Sequence, residues 1–384
     1  MSATTTDPAT TPATPAQPSP YEALREERLR RGWSLDDLPF AERGIDPAGW
    51  AYEDLDYLQT YPAAWRRPCG ENGIGRLREV ALSKITDAEL QVYSDRYPFC
   101  QDPVWLESQG LLRADVGRLQ EEQAQYAELL EQNGVKVHWL DFGASPMSAF
   151  GPMQVMWAAS DCWVTRGGIV IQKTGWHPFG FGRSEWMARW LNHELGIPVL
   201  GTVHGTGVHE PSTTIWLAED VWVAGLSAAY NPEGHRQVEA IVRRTCGVED
   251  LEVHVMHLTT DRFFDRASGL SAHITNVICP LDLDKVLVYP PGIDAATLRW
   301  LRRKGYRVIE VDREEQIRFT PTNTIPLAPG VIFMVAEARR AIAAVRRAGV
   351  EVIEVPNEEF MQIGGALHCR TLRIYREPGP ARNV

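Results

Sequence analysis

Apolar positions along this chain switch repeatedly between two periods. Short β-branched runs read as strands: "LREVALS" (77–83), "VKVHWLDF" (135–142), "GIVIQK" (168–173), "IPVLGTV" (197–203), "TIWLAEDVWVAG" (214–225) and "LEVHVMHL" (251–258). The series continues with "KVLVYP" (285–290), "YRVIEVD" (306–312), "GVIFMVA" (330–336), "VEVIEVP" (350–356) and "TLRIYRE" (371–377). Between them the period lengthens to that of amphipathic helices near 106–132, 183–195, 233–245, 294–304 and 335–348. Four of these helices close on "EQNG", "HELG", "RRKG" and "RRAG". Each glycine stands where a helix needs a left-handed residue to end.

Five helices that each lead into a strand, at intervals of roughly 45–60 residues, form a repeated supersecondary unit. Such a repeat suits a closed ring of modules. Alternation alone also fits an open doubly wound sheet. The hairpin "TIWLAEDVWVAG" argues against a purely parallel sheet, as does the hairpin-like pairing of "GVIFMVA" with the chain before it. The fold class expected is therefore α/β. Residues 67–384 form the domain, preceded by a Thr/Pro/Ala-rich tail (1–20) expected to be disordered and an extension (21–66). The extension opens with the charged helical stretch "YEALREERLRRGWSLDDL", with Ser34 as a second N-cap.

Charge and cysteine usage narrow the function. A net charge of −11 argues against a nucleic-acid partner. No apolar run is long enough for a membrane span, and the N-terminus has no basic or apolar region of a secretory signal. The six cysteines contain no CxxC pair and read as free thiols of a cytoplasmic protein.

Polar residues stand in unusual company at four places. Asp161 lies within "MWAASDCWVTRGGIVI", Glu210 just before the strand of "HEPSTTIWLAED", and His273 ahead of an apolar run in "LSAHITNVICPLDLDKVLVYP". Cys369 lies in "GGALHCRT", on a turn loosened by two glycines. A thiol, an imidazole and two carboxylates are the parts of a thiol-nucleophile system. The thiolate attacks, the histidine shuttles protons, one carboxylate orients the histidine, and the other can bind a positive group. His254 and His257 alternate as on a strand, so His273 is the better catalytic histidine. His204 and His209 have no metal-ligand spacing, and neither a metal nor an organic cofactor is expected.

These blocks, in this order, resemble the guanidino-group modifying enzyme superfamily, the penteins. The superfamily includes arginine deiminases, dimethylarginine dimethylaminohydrolases and amidinotransferases. The likeness runs from about Gly70 to Arg376. "GRLREVALS" is similar to the opening strand. "HEPSTTIWLAEDVWVAGLS" stands where the family has an acid-Gly-Gly-Asp hairpin, with Glu210 on its first acid. "HITNVICPLDLDKVLVYP" is similar to the histidine strand, and "NTIPLAPGVIFMV" and "GGALHCRT" to the last two blocks. The resemblance implies a five-bladed ββαβ propeller. It also implies catalytic Cys369, His273 and Glu210, with Asp161 binding a guanidinium and no cofactor. Within "GFGRSE", Arg183 and Glu185 would fall on the rim of the site.

The departures bear on substrate. Thr275 occupies the position where deiminases carry an Asp, and Glu210-Pro211-Ser212-Thr213 lacks the second acid of the hairpin. Ala228 and Ala229 stand where many members place an arginine for the substrate α-carboxylate. With Thr275 and Thr213 bounding the substrate, free L-arginine fits poorly. A substituted guanidine or a less highly charged amidine fits better. The expectation is hydrolysis of a C–N bond of a small guanidino or amidine substrate through an amidino-cysteine intermediate. Transfer to an amine acceptor is the alternative, and a catalytically silent binding protein a third. A homodimer is compatible with the sequence.

Overall fold

The four helix-ending glycines behave as their position requires. Gly134, Gly196, Gly305 and Gly349 have φ of 76°, 65°, 74° and 82° in the computed structural model. There the chain turns back and each helix hands over to a strand. The described residues are 20–32, 68–71, 73–85, 115–141, 147–148, 151–152, 157–175, 182–259, 264–265, 270–362 and 364–382.

The chain divides into two units, residues 1–56 and 57–384. In the first, a helix spans Pro20–Arg30. The expected N-cap Ser34, residues 1–19 and most of the extension lie outside the described residues.

The second unit repeats one motif. Its first module supplies β1 (Leu77–Ser83), α1 (Val116–Gln132) and β2 (Lys136–Leu140). The next comprises β3 (Trp163–Thr165), β4 (Gly168–Ile171), α2 (Arg183–Leu195) and β5 (Val199–Thr202). The third comprises β6 (Thr214–Ala218), β7 (Val221–Leu226), α3 (Pro232–Thr245) and β8 (Glu252–His257). The fourth has β9 (Ile278–Asp282), β10 (Lys285–Val288), α4 (Ala295–Arg303) and β11 (Arg307–Glu310). The fifth has β12 (Ile325–Ala328), β13 (Val331–Val335), α5 (Arg339–Arg347) and β14 (Glu351–Val355). In each complete module the first two strands are antiparallel, and the third, after the helix, lies parallel to the second.

The first module lacks an opening strand of its own. The C-terminal strand β15 (Leu372–Arg376) fills that place, antiparallel to β1, with Ala81 opposite Leu372 and Val80 opposite Arg373. The two ends of the domain thus close the five-bladed α/β propeller in one sheet. Side chains from the first, fourth and fifth blades, among them Leu77, Val80, Leu281, Leu287, Leu327 and Phe333, share one buried cluster. Each large apolar side chain so buried contributes about 1.5–3 kcal/mol.

Helix starts follow capping chemistry. Asp115, Asn231 and Asp294 each accept a backbone N–H from three residues on. The helix expected over 335–348 begins at Arg339, because β13 runs through Val335 before the turn. The helix expected over 106–132 begins at Val116, capped by Asp115; residues 106–114 lie outside the described residues. Two opening strands, β9 and β12, carry Pro280 and Pro326, which weaken a strand reading. The ladder accommodates each with a register shift just after the proline. No helix among the described residues is long and apolar enough to cross a membrane.

Candidate active site

The chemistry-bearing residues share one structural position. Glu210 caps the one-turn helix Pro211–Thr213 that enters β6, and His273 caps Ile274–Asn276 ahead of β9. Asn323 stands just before β12, and Cys369 lies in the turn before β15. Asp161 ends the short helix Ala158–Asp161, two residues before β3. Every blade therefore presents one such residue at the entrance to its opening strand. Five positions scattered over more than 200 residues are brought to equivalent places by the repeat.

Backbone hydrogen bonding holds these turns. The Thr213 backbone N–H and hydroxyl both donate to the Glu210 carbonyl, at 3.0 and 2.5 Å. The His273 N–H donates to Ser271 Oγ at 3.1 Å. The Ala159 N–H donates to the Cys369 carbonyl at 3.2 Å, tying the Asp161 helix to the thiol turn. At Gly365 an added Cβ would come within 2.2 Å of the Trp157 ring, so the turn needs a residue without one.

Two side-chain pairs stand at these turns. His273 Nε2 and Glu210 Oε2 are 2.8 Å apart, and both residues are buried. Thr174 donates its hydroxyl to the other Glu210 oxygen at 2.5 Å. Burial alone would raise the Glu210 carboxyl. The hydrogen bond and charge of His273, the Thr174 hydroxyl and the Arg183 guanidinium more than offset it and hold the group below the usual carboxylate range. A carboxylate so held keeps the imidazole oriented.

The second pair is Cys369 and Asn323. Asn323 Nδ2 donates to Cys369 Sγ at 3.0 Å, and its Oδ1 accepts the Cys369 N–H at 3.2 Å. The same Nδ2 also donates to Asn276 Oδ1. Asn276 Nδ2 in turn donates to Ser271 Oγ at 2.9 Å. A polar chain therefore runs from the His273 segment to the thiol. Burial pushes the Cys369 thiol up, opposed by hydrogen bonding at Ala366 and Asn323 and by the charge of Arg373. The unliganded thiol is protonated at neutral pH.

The remaining sequence candidates are placed differently. Arg183 is buried and acts on Glu210 rather than on an open rim, while Glu185 is exposed in the first turn of α2. The Thr213 hydroxyl is taken up by its own turn. Thr275 is buried and lines a small cavity. Of Asp161 only the backbone position is described. Asn323 and Asn276 were present in quoted blocks of the sequence without an assignment, because an amide carries no charge or reactivity signal by itself. Among the described residues, no three His, Cys, Asp or Glu side chains are grouped to hold a metal.

Comparison with known proteins agrees with this architecture. Residues 290–376 match the arginine deiminase family model. The 2-nitroimidazole nitrohydrolase of Mycobacterium sp. (strain JS330) is 35% identical over 359 residues, 91% of this chain and 93% of that protein. The solved N-terminal domain of ArgZ, an arginine dihydrolase from cyanobacteria, superposes with a TM-score of 0.61 at 20% identity, covering 79% of this chain and 99% of that one. Dimethylarginine dimethylaminohydrolase from Pseudomonas aeruginosa does so with 0.57 at 17% identity, covering 78% and 99%. These two likenesses concern the fold. By its blade architecture and its full-length relative, the chain belongs to the pentein superfamily of guanidino-group modifying enzymes and is an enzyme of the C–N hydrolase kind.

Proposed function

We propose that the protein is a thiol-dependent hydrolase acting on a weakly charged amidine-type carbon that bears a leaving group, with 2-nitroimidazole as the representative substrate. The observation that carries this reading is the pair of dyads, Cys369–Asn323 and His273–Glu210, each at the head of an opening strand and linked through Asn276 and Ser271. Two further features support the substrate class. A relative 35% identical over 91% of this chain carries that activity in its name. The second hairpin acid and the Asp two residues past the histidine are replaced here by Thr213 and Thr275, so a full guanidinium would have fewer carboxylate partners. The C2 carbon of a 2-nitroimidazole lies between two nitrogens like a guanidino carbon, but the ring carries little positive charge.

The steps balance without a further reagent. With Nε2 engaged by Glu210, Nδ1 of His273 takes the proton from Cys369. The thiolate adds to the ring carbon, and nitrite departs with the bonding pair, leaving a carbon–sulfur bond. The proton on His273 passes to solvent. His273 then takes a proton from water, and the hydroxide adds to the same carbon. The thiolate leaves and recovers its proton, and the ring product carries the water oxygen as a carbonyl. Asp161, at the head of β3, is proposed to bind the ring N–H edge. In the free protein burial keeps the thiol protonated, so substrate binding precedes activation. A reducing cytoplasm would preserve the free thiol.

The test is a competition in ¹⁸O-labelled water among 2-nitroimidazole, N-substituted guanidines and L-arginine. The reading expects one nitrite per turnover, label in the ring carbonyl, and L-arginine as the poorest substrate. A higher kcat/KM for L-arginine would overturn the substrate assignment. Turnover that requires an added amine and incorporates no label would replace hydrolysis by group transfer.

A further inference from the structure

The contact between Glu210 and His273 joins two blades across 63 residues, and at 2.8 Å it needs both backbones held in place. One turn reaches both. Between β7 and α3, the Ser227 N–H donates to the Tyr230 carbonyl at 3.0 Å and the Tyr230 N–H to the Ser227 carbonyl at 3.2 Å. Within this turn the Ser227 hydroxyl is used in both directions. It donates to the Ala272 carbonyl at 2.6 Å and accepts the Ala229 N–H at 3.1 Å. Ala272 directly precedes His273. The Ala229 carbonyl in turn accepts the Glu210 N–H at 3.1 Å. One side chain and one residue thus connect the His273 backbone to the Glu210 backbone.

The turn is itself anchored. The Tyr230 hydroxyl lies 3.1 Å from His235 Nδ1 on α3. Asn231 donates its side-chain N–H to the Thr206 carbonyl at 2.7 Å and its backbone N–H to the Val208 carbonyl at 3.2 Å. On the other side, an added Cβ on Gly175 would come within 2.7 Å of the Ala228 carbonyl oxygen, next to the Thr174 that donates to Glu210. Ala229 and Ala272 are both 0% exposed. Their backbone groups therefore cannot turn to water if the hydroxyl is removed. A hydroxyl can donate to one and accept from the other, and an alkyl group can do neither.

We propose that Ser227 is a positioning residue, whose hydroxyl sets the distance and angle between His273 and Glu210 by coupling the Ala272 and Glu210 backbones. It acts through that pair rather than on the reacting atoms. The inference rests on the pair that carries the proposed function and extends it to the turn behind it. Misplacing a catalytic group by about 1 Å can cost about 100-fold in rate. The cost of losing the hydroxyl should fall on proton transfer, hence on kcat, with KM little changed.

The test uses the full chain labelled with ¹⁵N-histidine and read by NMR without substrate. An ionised carboxylate only accepts, so Nε2 of His273 carries the proton between the two residues. That hydrogen-bonded N–H gives a downfield resonance, assigned by its absence from His273→Gln. In Ser227→Ala the resonance should move upfield or broaden through faster exchange with water. In the same variant kcat for nitrite release should fall roughly 10- to 100-fold. Ser227→Cys, close in shape but a weak donor, serves if the alanine variant fails to fold. A resonance unchanged in position and exchange in a folded variant would overturn the proposal, and so would a loss confined to KM or to Tm. Because the resonance is read without substrate, a protein that releases no nitrite from 2-nitroimidazole would fail the proposed function and leave this test standing.

Discussion

Replacing Asn323 with aspartate separates positioning of the thiol from its activation. The shape is kept, and the carboxylate can still accept the Cys369 N–H that Asn323 Oδ1 accepts at 3.2 Å. What is lost is the donor at 3.0 Å from Sγ. A hydrogen bond to an ionised group contributes about 1.5–3 kcal/mol. At about 1.36 kcal/mol per pKa unit, the thiol should rise by roughly one to two units. The new negative charge beside the sulfur adds to that shift. Because the wild-type thiol is already raised by burial, its alkylation should climb only above pH 9, the ordinary thiol value. In Asn323→Asp the same climb should move about two units higher. If chemistry limits turnover, kcat/KM should fall about 100-fold with it. The assay is iodoacetamide alkylation of Cys369 across pH, read by peptide mass spectrometry, with calorimetry to verify the fold. An unshifted alkylation profile in a folded variant would refute the assignment of Asn323 as the group that stabilises the thiolate.

Three further outcomes follow from the same geometry. Glu210→Gln keeps a polar partner for His273 but removes the charge, so kcat should fall about 100-fold and Tm should fall at neutral pH; equal kcat would remove Glu210 from the proton-shuttling pair. The depressed carboxyl of Glu210 favours the folded state above its unfolded value of 4.5, and that contribution is lost as pH falls through the folded value. Urea midpoints measured from pH 7 downward should therefore drop more in the wild type than in Glu210→Gln. At Gly70, φ is 93° and an added Cβ would meet the Thr165 carbonyl at 1.9 Å, beside the sheet that joins the two chain ends. Gly70→Ala should cost about 3 kcal/mol or more by calorimetry, and a neutral change would show that the two ends are not held as described.

The sequence made the blades legible where local physics decides the conformation. Amphipathic helices with a glycine stop and β-branched strands after them depend on neighbours within a few residues, and all five units were visible on that basis. The opening strands were harder. β3 is only three residues long, and β9 and β12 carry prolines that only a bulged ladder tolerates. Pairing of β15 with β1 joins residues nearly 300 apart, and no local signal encodes it. The same division holds at the site. Cys369, His273 and Glu210 could be singled out as candidates because their chemistry and flanking strands coincide. Asn323, Asn276 and Ser271 depend on a meeting of three blades. The role of Arg183 beside Glu210 likewise depends on where α2 packs. Thr275, expected to bound the substrate, is buried and lines a small cavity.

The central claim is a covalent ring adduct on Cys369, formed as nitrite leaves. Rapid-quench mixing of the enzyme with 2-nitroimidazole, followed by intact-protein and peptide mass spectrometry, tests it directly. The account predicts a transient gain equal to the ring without its nitro group, confined to the peptide bearing Cys369, and its loss as the product appears. It also predicts that the adduct persists longer in Glu210→Gln, where His273 activates water less well, and that Cys369→Ser forms neither adduct nor product. Nitrite release at the wild-type rate by Cys369→Ser, or turnover with no adduct in either the wild type or Glu210→Gln, would contradict the account.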